Sequence, residues 1–174
     1  MKIFLIGYRG TGKTTIGKPL AHHLGFDFMD TDHLIEQQLG STVLDIIETR
    51  GWKKFRQIEK QILLNLKNKE NSVIATGGGV IMDIDNQQFI KKNGFCIWLD
   101  ADINTILNRL HMDNNTNRAR PSLTRKKLSD ETDEMVKKRF PMYENTAHMR
   151  IDTSFHTPEE ILNIIDRRLK DVWQ

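Results

Sequence analysis

The chain has 174 residues, of which 38% are hydrophobic and 28% are charged. Its 26 lysines and arginines are nearly balanced by 23 aspartates and glutamates, which argues against the strong positive field of a nucleic-acid-binding protein. No apolar run approaches the ~18 residues that cross a membrane, and the hydrophobic start is shorter than a signal peptide requires. We therefore expect one globular domain over residues 1–174.

The only cysteine is Cys96, so a disulfide within the chain is excluded. This fits a reducing compartment, and we expect a cytoplasmic protein with no membrane or nucleic-acid partner.

Short apolar runs alternate with longer stretches of helical periodicity along the chain. This alternation predicts right-handed βαβ units and an α/β fold with a five-stranded parallel sheet between two helical layers. The predicted strands are 2–6, 27–30, 73–76, 95–99 and 149–152. The predicted helices are 13–24, 31–39, 43–50, 52–68, 84–92, 102–111, 130–146 and 157–172. The last helix begins with a capping box formed by Thr157 and Glu160.

A glycine-rich loop follows the first strand and precedes the first helix. Residues 7–15 fit the pattern G-x-x-x-x-G-K-[ST], in which successive backbone N–H groups surround phosphates. Lys13 is expected to reach the β- and γ-phosphates, and the Thr14 hydroxyl is expected to ligate Mg²⁺. A plain strand-to-helix turn is the alternative, which this context disfavours. The nucleotide-binding residues predicted here are Gly10, Thr11, Gly12, Lys13, Thr14 and Thr15.

Two aspartates follow the second strand. Asp30 and Asp32 should lie at the carboxyl edge of the sheet, where parallel α/β folds bind ligands. One could orient Mg²⁺ and the other could accept a hydrogen bond from a substrate hydroxyl. Capping of the next helix is the alternative for either residue.

Three glycines, Gly77, Gly78 and Gly79, directly follow the third strand. Such a run is costly in backbone entropy, and it favours close approach of the backbone to a ligand over a simple turn. Arg56 has Glu59 three residues on, so a surface ion pair is its default interpretation. Arg139 is, from its surroundings alone, an ordinary helix arginine.

An asparagine-rich segment interrupts the alternation of strands and helices at residues 111–122. It has too few apolar residues for a core element, so we predict a loop. Arg118 and Arg120 favour a lid over about 111–124 rather than a merely solvated loop.

The glycine loop alone is compatible with GTPases, motors and small-molecule kinases. The guanine-reading N-K-x-D pattern is missing, because the nearest stretch, residues 68–71, ends in asparagine. A motor would need an acid after an apolar strand, and Asp100 is the only rival to Asp30 for that role. The size of the chain and its one lid-like loop favour a kinase of a small acceptor.

Taken together, the motifs resemble the shikimate kinase family of P-loop kinases. Besides the glycine loop, the chain has the motifs D-x-D at 30–32, F-R-x-x-E at 55–59, G-G-G at 77–79, R-P at 120–121 and R-x-P-x-Y at 139–143. The resemblance implies transfer of the ATP γ-phosphoryl group to the 3-hydroxyl of shikimate, with Mg²⁺, in a monomer. It also implies a substrate-binding segment at about 31–60.

The same resemblance assigns roles to individual residues. It implies that Asp32 binds the shikimate hydroxyls, Asp30 lies near Mg²⁺, and Arg56 and Arg139 hold the carboxylate with forked donors. Gly77, Gly78 and Gly79 would line the substrate, and Arg120 would close over the phosphates as a catalytic residue with Lys13 and Asp32. Arg150 to Pro158 would pack on adenine.

The chain departs from the family pattern at two places. Trp52 stands where the family has glutamate, and Ser122 replaces leucine after the R-P pair. A kinase of another polyol acid, such as gluconate, is the nearest alternative function. A nucleotide-dependent switch or nucleic-acid-binding module is the non-enzymatic alternative, which the balanced charge disfavours.

Overall fold

The structure is a computed structural model that describes residues 1–112 and 127–172. Its strands are β1 (Lys2–Ile6), β2 (Asp27–Asp30), β3 (Ser72–Ala75), β4 (Phe95–Asp100) and β5 (Met149–Asp152). Its helices are α1 (Lys13–Leu24), α2 (Thr31–Leu39), α3 (Val43–Asn65), α4 (Ile84–Asn93), α5 (Ile103–Met112), α6 (Leu128–Thr146) and α7 (Pro158–Val172). Two 3₁₀ turns lie at Leu66–Asn68 and Val80–Met82.

The five strands form one sheet in the order β2-β3-β1-β4-β5, and every neighbouring pair is parallel. This confirms the predicted α/β architecture. Strand β1 lies at the centre, so the loop that leaves its carboxyl end is flanked by the ends of β3 and β4. The ends of the predicted strands agree to within one residue.

Alternate residues of β1 pack into two apolar clusters, one on each face of the sheet. Ile3 and Leu5 pack into a cluster with α1 and α7, whereas Phe4 and Ile6 pack into a second cluster with α3, α4 and α6. All four side chains are fully buried, and each contributes roughly 2 kcal/mol of transfer free energy. The central strand is therefore held from both faces, which fixes the position of the loop that follows it.

Local signals set several helix ends as predicted. The capping box at α7 is present, since Thr157 N donates to Glu160 Oε2 at 2.8 Å and Glu160 N donates to Thr157 Oγ1 at 3.3 Å. The predicted helices 43–50 and 52–68 both lie within α3 and are interrupted, as predicted, at residue 51. The kink lies at Gly51, whose φ of 75° is left-handed and therefore suits glycine. Residues 66–68 tighten into a 3₁₀ turn.

Helix α6 continues through Pro141, in agreement with the predicted helix 130–146. Over the described ranges, none of the helices combines the length and hydropathy that a membrane crossing requires.

Candidate active site

A cavity of about 640 Å³ opens at the carboxyl end of β1 and is lined by the glycine loop. Gly10 and Gly12 have φ values of 80° and 90°, a left-handed backbone that favours glycine. The Lys13 ammonium donates to the carbonyl oxygens of Gly7 and Tyr8, each at 2.8 Å, which places its charge across the mouth of the loop. We call this space the donor cavity. The residues predicted to bind nucleotide that line it are Gly10, Thr11, Gly12, Lys13, Thr14, Thr15 and Pro158.

Thr14 and Asp30 lie together at one side of the donor cavity. Thr14 Oγ1 donates to Asp30 Oδ2 at 3.1 Å, while Asp30 Oδ1 accepts from the backbone N–H of Asp32 at 3.0 Å. Asp30 thus caps α2 and also accepts a hydrogen bond from the hydroxyl predicted to bind Mg²⁺. The cap is confirmed, and the metal role of Asp30 stays a prediction. One hydroxyl and one carboxylate fit Mg²⁺, which takes few protein ligands and completes its shell with water and phosphate oxygens.

The far end of the donor cavity contains an arginine that no motif indicated. Arg109 donates to Gly10 O at 3.2 Å, and to Thr153 Oγ1 at 2.9 Å and Thr153 O at 2.7 Å. These bonds hold a guanidinium at the wall of the cavity, which Pro158 and His156 also line. The only sequence signal was an arginine in the last turn of a helix that ends near the ligand edge.

Arg150, predicted to pack on adenine, does not line the donor cavity. Its Nη2 donates to Asp100 Oδ2 at 2.6 Å, and its guanidinium lies 4.6 Å from the centre of the Trp98 ring. Asp100 is engaged in this pair and does not line the cavity either, so the residue that accompanies Thr14 is Asp30.

A second, smaller cavity of about 60 Å³ lies beside the first, and we call it the acceptor cavity. It brings together the predicted substrate-binding residues from four separate parts of the chain. Its polar lining comprises Tyr8, Arg9, Asp32, Arg56, Glu59, Gly77, Gly78, Gly79 and Arg139. Its apolar lining comprises Val43, Ile47, Trp52 and Phe55.

Arg56 pairs with a buried glutamate. Its Nη1 donates to Glu59 Oε2 at 2.6 Å, and the Glu59 side chain is only 1% exposed, so the default interpretation as a surface ion pair is wrong. The guanidinium also lies 5.3 Å from the Trp52 ring centre and 5.2 Å from that of Phe55. Burial raises the pKa of Glu59 to about 7, because desolvation outweighs the attraction of Arg56 and the Asp32 carboxylate adds repulsion.

The triple glycine is required by close approach. A Cβ at Gly77 would lie 2.7 Å from Glu59 Oε1 and 2.8 Å from Asp32 Oδ1, so both carboxylates face the same backbone. A Cβ at Gly79 would overlap the guanidinium of Arg56. Glycine therefore leaves room for these side chains, whose charged ends would have to move if a Cβ were added.

Helix α6 fixes the middle glycine through its carbonyl oxygen. Gly78 O accepts from Arg139 Nη1 at 3.1 Å and from Tyr143 Oη at 2.6 Å. The Tyr143 ring is stacked on the buried Trp98 at a centroid distance of 5.5 Å, and burial raises its pKa above the ordinary range. Arg139 is thus more than a surface helix arginine, because it is buried and contacts the glycine run.

Buried polar atoms without hydrogen-bond partners concentrate around the acceptor cavity. Seven such side-chain atoms occur in the part of the chain that the structure describes, and four belong to residues lining this cavity. They are Tyr8 Oη, Arg9 Nε, Glu59 Oε1 and Arg139 Nε. An unsatisfied buried polar group costs roughly 1–3 kcal/mol, so the cavity is suited to a small ligand rich in polar groups.

Two residues, Arg9 and Asp32, line both cavities. The spaces therefore meet at one cation and one carboxylate, which is the arrangement that transfer of a group between two bound molecules needs. Arg120 and residues 113–124 of the predicted lid lie outside the described residues.

Comparison with known proteins agrees with this geometry. Residues 9–170 match the family model described as shikimate kinase. The chain belongs to the shikimate kinase family. It is 41% identical to the shikimate kinase of Thermodesulfovibrio yellowstonii, over 91% of this chain and 89% of that protein. It is 39% identical to shikimate kinase 2 of Photorhabdus laumondii, over 94% and 92% respectively.

A solved member of the shikimate kinase family shares the fold throughout. The Acinetobacter baumannii shikimate kinase, in complex with shikimate, superposes with a TM-score of 0.90 at 32% identity. The match covers 98% of this chain and 93% of that one, so the sheet and the surrounding helices have a common arrangement.

Proposed function

We propose that this chain is a shikimate kinase, which transfers the γ-phosphoryl group of ATP to the 3-hydroxyl of shikimate and yields shikimate 3-phosphate and ADP. The product would enter chorismate and aromatic amino acid biosynthesis. The observation that carries the proposal is that the donor cavity, lined by the glycine loop, meets the acceptor cavity, lined by Arg56 and Arg139, at Arg9 and Asp32. The enzyme is expected to act as a cytoplasmic monomer.

On the donor side, backbone N–H groups of residues 10–15 would bind the phosphates, and Lys13 would leave the loop carbonyls for the β- and γ-oxygens. Transfer of a phosphoryl group requires alignment and charge neutralisation more than covalent chemistry. Mg²⁺ bound at Thr14 and Asp30 would supply part of that neutralisation. Arg120 would add to it, which stays a prediction.

On the acceptor side, Arg56 and Arg139 would bind the shikimate carboxylate, because a guanidinium offers paired N–H donors that match a carboxylate. Asp32 would accept a hydrogen bond from the reacting hydroxyl and orient its oxygen toward the donor. Glu59 keeps the Arg56 fork in place at 2.6 Å.

The decisive experiment measures ADP release with ATP and Mg²⁺ in the presence of shikimate, of gluconate, or of neither. We expect release that depends on shikimate, with a product whose mass increases by one phosphoryl group. Release that depends on gluconate instead would replace the proposed substrate, and nucleotide turnover that neither acceptor changes would contradict a small-molecule kinase. Polynucleotide binding with a steep salt dependence would support the non-enzymatic alternative.

A further inference from the structure

The second residue of the cavity junction, Arg9, has no role in the reaction described so far. Its position in the glycine loop is one that the motif leaves unspecified. Its side chain is 12% exposed, and its Nη2 donates to Glu131 Oε1 at 2.5 Å. The Glu131 side chain is 1% exposed and lies in the first turn of α6.

This ion pair holds the guanidinium between the two cavities. Moving two charges out of water costs free energy, so a buried ion pair need not stabilise the fold. We therefore look for a functional reason for this pair. The Arg9 guanidinium also lies 5.6 Å from the centre of the Tyr8 ring, and the guanidinium of Arg139 lies at the same distance from that ring. The Tyr8 ring is therefore at cation–π distance from both guanidinium groups.

Arg9 retains donor capacity beyond its pair with Glu131. A guanidinium has five N–H donors, and the Nε of Arg9 is buried without a hydrogen-bond partner among the described residues. A group that carries several oxygens at the junction could satisfy it. Of the groups in the proposed reaction, only the phosphoryl group passes from the donor cavity to the acceptor cavity.

We propose that Arg9 binds the phosphoryl group during transfer and the phosphate of the product, and that Glu131 positions Arg9 for this contact. The inference rests on the proposed function, since it names the group that Arg9 contacts. Arg9 would be a catalytic residue, whereas Glu131 would act through it.

The test uses the full chain and the paired variant R9M/E131Q, which removes both charges and leaves the net charge unchanged. R9M alone would remove a charged partner from the buried Glu131 carboxylate and is expected to be less stable. The matched control is D166N/K170M, which removes a pair on α7 that is more exposed than Arg9–Glu131, with an N–O distance of 2.6 Å. For R9M/E131Q we expect kcat to fall by roughly 100-fold, as for loss of one donor to a transition-state oxyanion, with the KM for shikimate within threefold of the parent.

Binding without turnover gives an independent readout by isothermal titration calorimetry. R9M/E131Q should bind shikimate 3-phosphate roughly 10-fold more weakly than the parent while its affinity for shikimate is unchanged. E131Q should lower kcat on its own and should add no further loss when combined with R9M, because Glu131 acts only through Arg9.

R9K keeps the buried ion pair and is the variant to use if the paired variant does not unfold cooperatively. It replaces the forked donors of a guanidinium by the single charged group of an ammonium, so kcat should fall roughly 10-fold at an unchanged KM for shikimate. A kcat within threefold of the parent, or an equal loss of affinity for shikimate and for shikimate 3-phosphate, would overturn the proposal. The Arg9–Glu131 pair would then have only a structural role. If the parent itself shows no shikimate-dependent ADP release, the proposed function fails first.

Discussion

Residues 9–16, a single run of the chain, line the part of the donor cavity where we expect backbone N–H groups to bind phosphates. The acceptor cavity takes its lining from segments as far apart as Tyr8 and Arg139, and almost all of its chemistry lies in side chains. The phosphate-binding part of the first cavity therefore depends mainly on one local segment. The second depends on the packing of α3, α6 and the triple glycine against one another.

The largest expected effect separates the two cavities. Lys13→Met should lower turnover by on the order of 1,000-fold, because the positive charge that would neutralise the transferring phosphoryl group is lost. Shikimate binding by calorimetry should stay within threefold of the parent, since Lys13 does not line the acceptor cavity. Near-normal phosphoryl transfer in a folded Lys13→Met variant would contradict the assignment of the donor cavity.

Asp32→Asn tests the junction. The substitution keeps the size of the side chain but removes its charge, and we expect kcat to fall by roughly 100-fold through loss of a base or of hydroxyl orientation. The KM for ATP should change little, which steady-state kinetics with each substrate varied in turn will measure. A kcat within threefold of the parent would remove Asp32 from the reaction.

Gly79→Ala tests the acceptor cavity alone. The φ of Gly79 is −106°, which alanine adopts without strain, so the variant should fold. The added methyl group overlaps the Arg56 guanidinium and should displace it. We expect the KM for shikimate to rise roughly 10-fold, the cost of one weakened charge-assisted bond, while the KM for ATP is unchanged. An equal rise for both substrates would show that the cavities are not separable in this way.

The last prediction concerns stability rather than rate: of the two cavities, only the acceptor cavity should produce a pH dependence of unfolding. Because the pKa of Glu59 is raised from 4.5 to about 7, the folded state retains a proton that the unfolded state has lost between these values. The contribution of this group is therefore complete below pH 4.5 and is lost as the pH rises through about 7, a change on the order of 3 kcal/mol.

Urea unfolding at several pH values between 4.5 and 8 will measure this change in the free energy of unfolding. Glu59→Gln should remove the decline in stability that Glu59 causes, whereas Asp102→Asn, a control at an exposed helix start, should leave that decline unchanged. A decline of the same size in Glu59→Gln would contradict the assignment.

The sequence predicted the donor side well because its signals are local. The strand, the glycine pattern and the helix follow one another. The alternation of short apolar runs with helical stretches predicted the parallel sheet, and Thr157 and Glu160 predicted the capping box. The predicted interruption between helices 43–50 and 52–68 is found at Gly51, where the backbone of α3 is not helical.

The acceptor side was harder to predict because its contacts are tertiary. Three of its features depend on packing between distant parts of the chain. Glu59 is buried, Tyr143 and Arg139 both donate to the Gly78 carbonyl, and Arg9 contacts Glu131 of α6. Two arginines on the donor side show the same limit. Arg109 lies within a helix with no motif around it, and Arg150 contacts Asp100 and Trp98 instead of lining the donor cavity. The motif resemblance named most of the residues but did not give their partners.

The stack of Trp98 on Tyr143 connects the core to the carbonyl oxygen of Gly78. Any change in how Trp98 fills its site would move Tyr143, and with it the backbone against which the acceptor lies. Selection for the rate of reaction would then act on a residue of the hydrophobic core that no substrate touches. In this fold, the freedom of the interior to repack is limited by the chemistry at its edge as well as by stability.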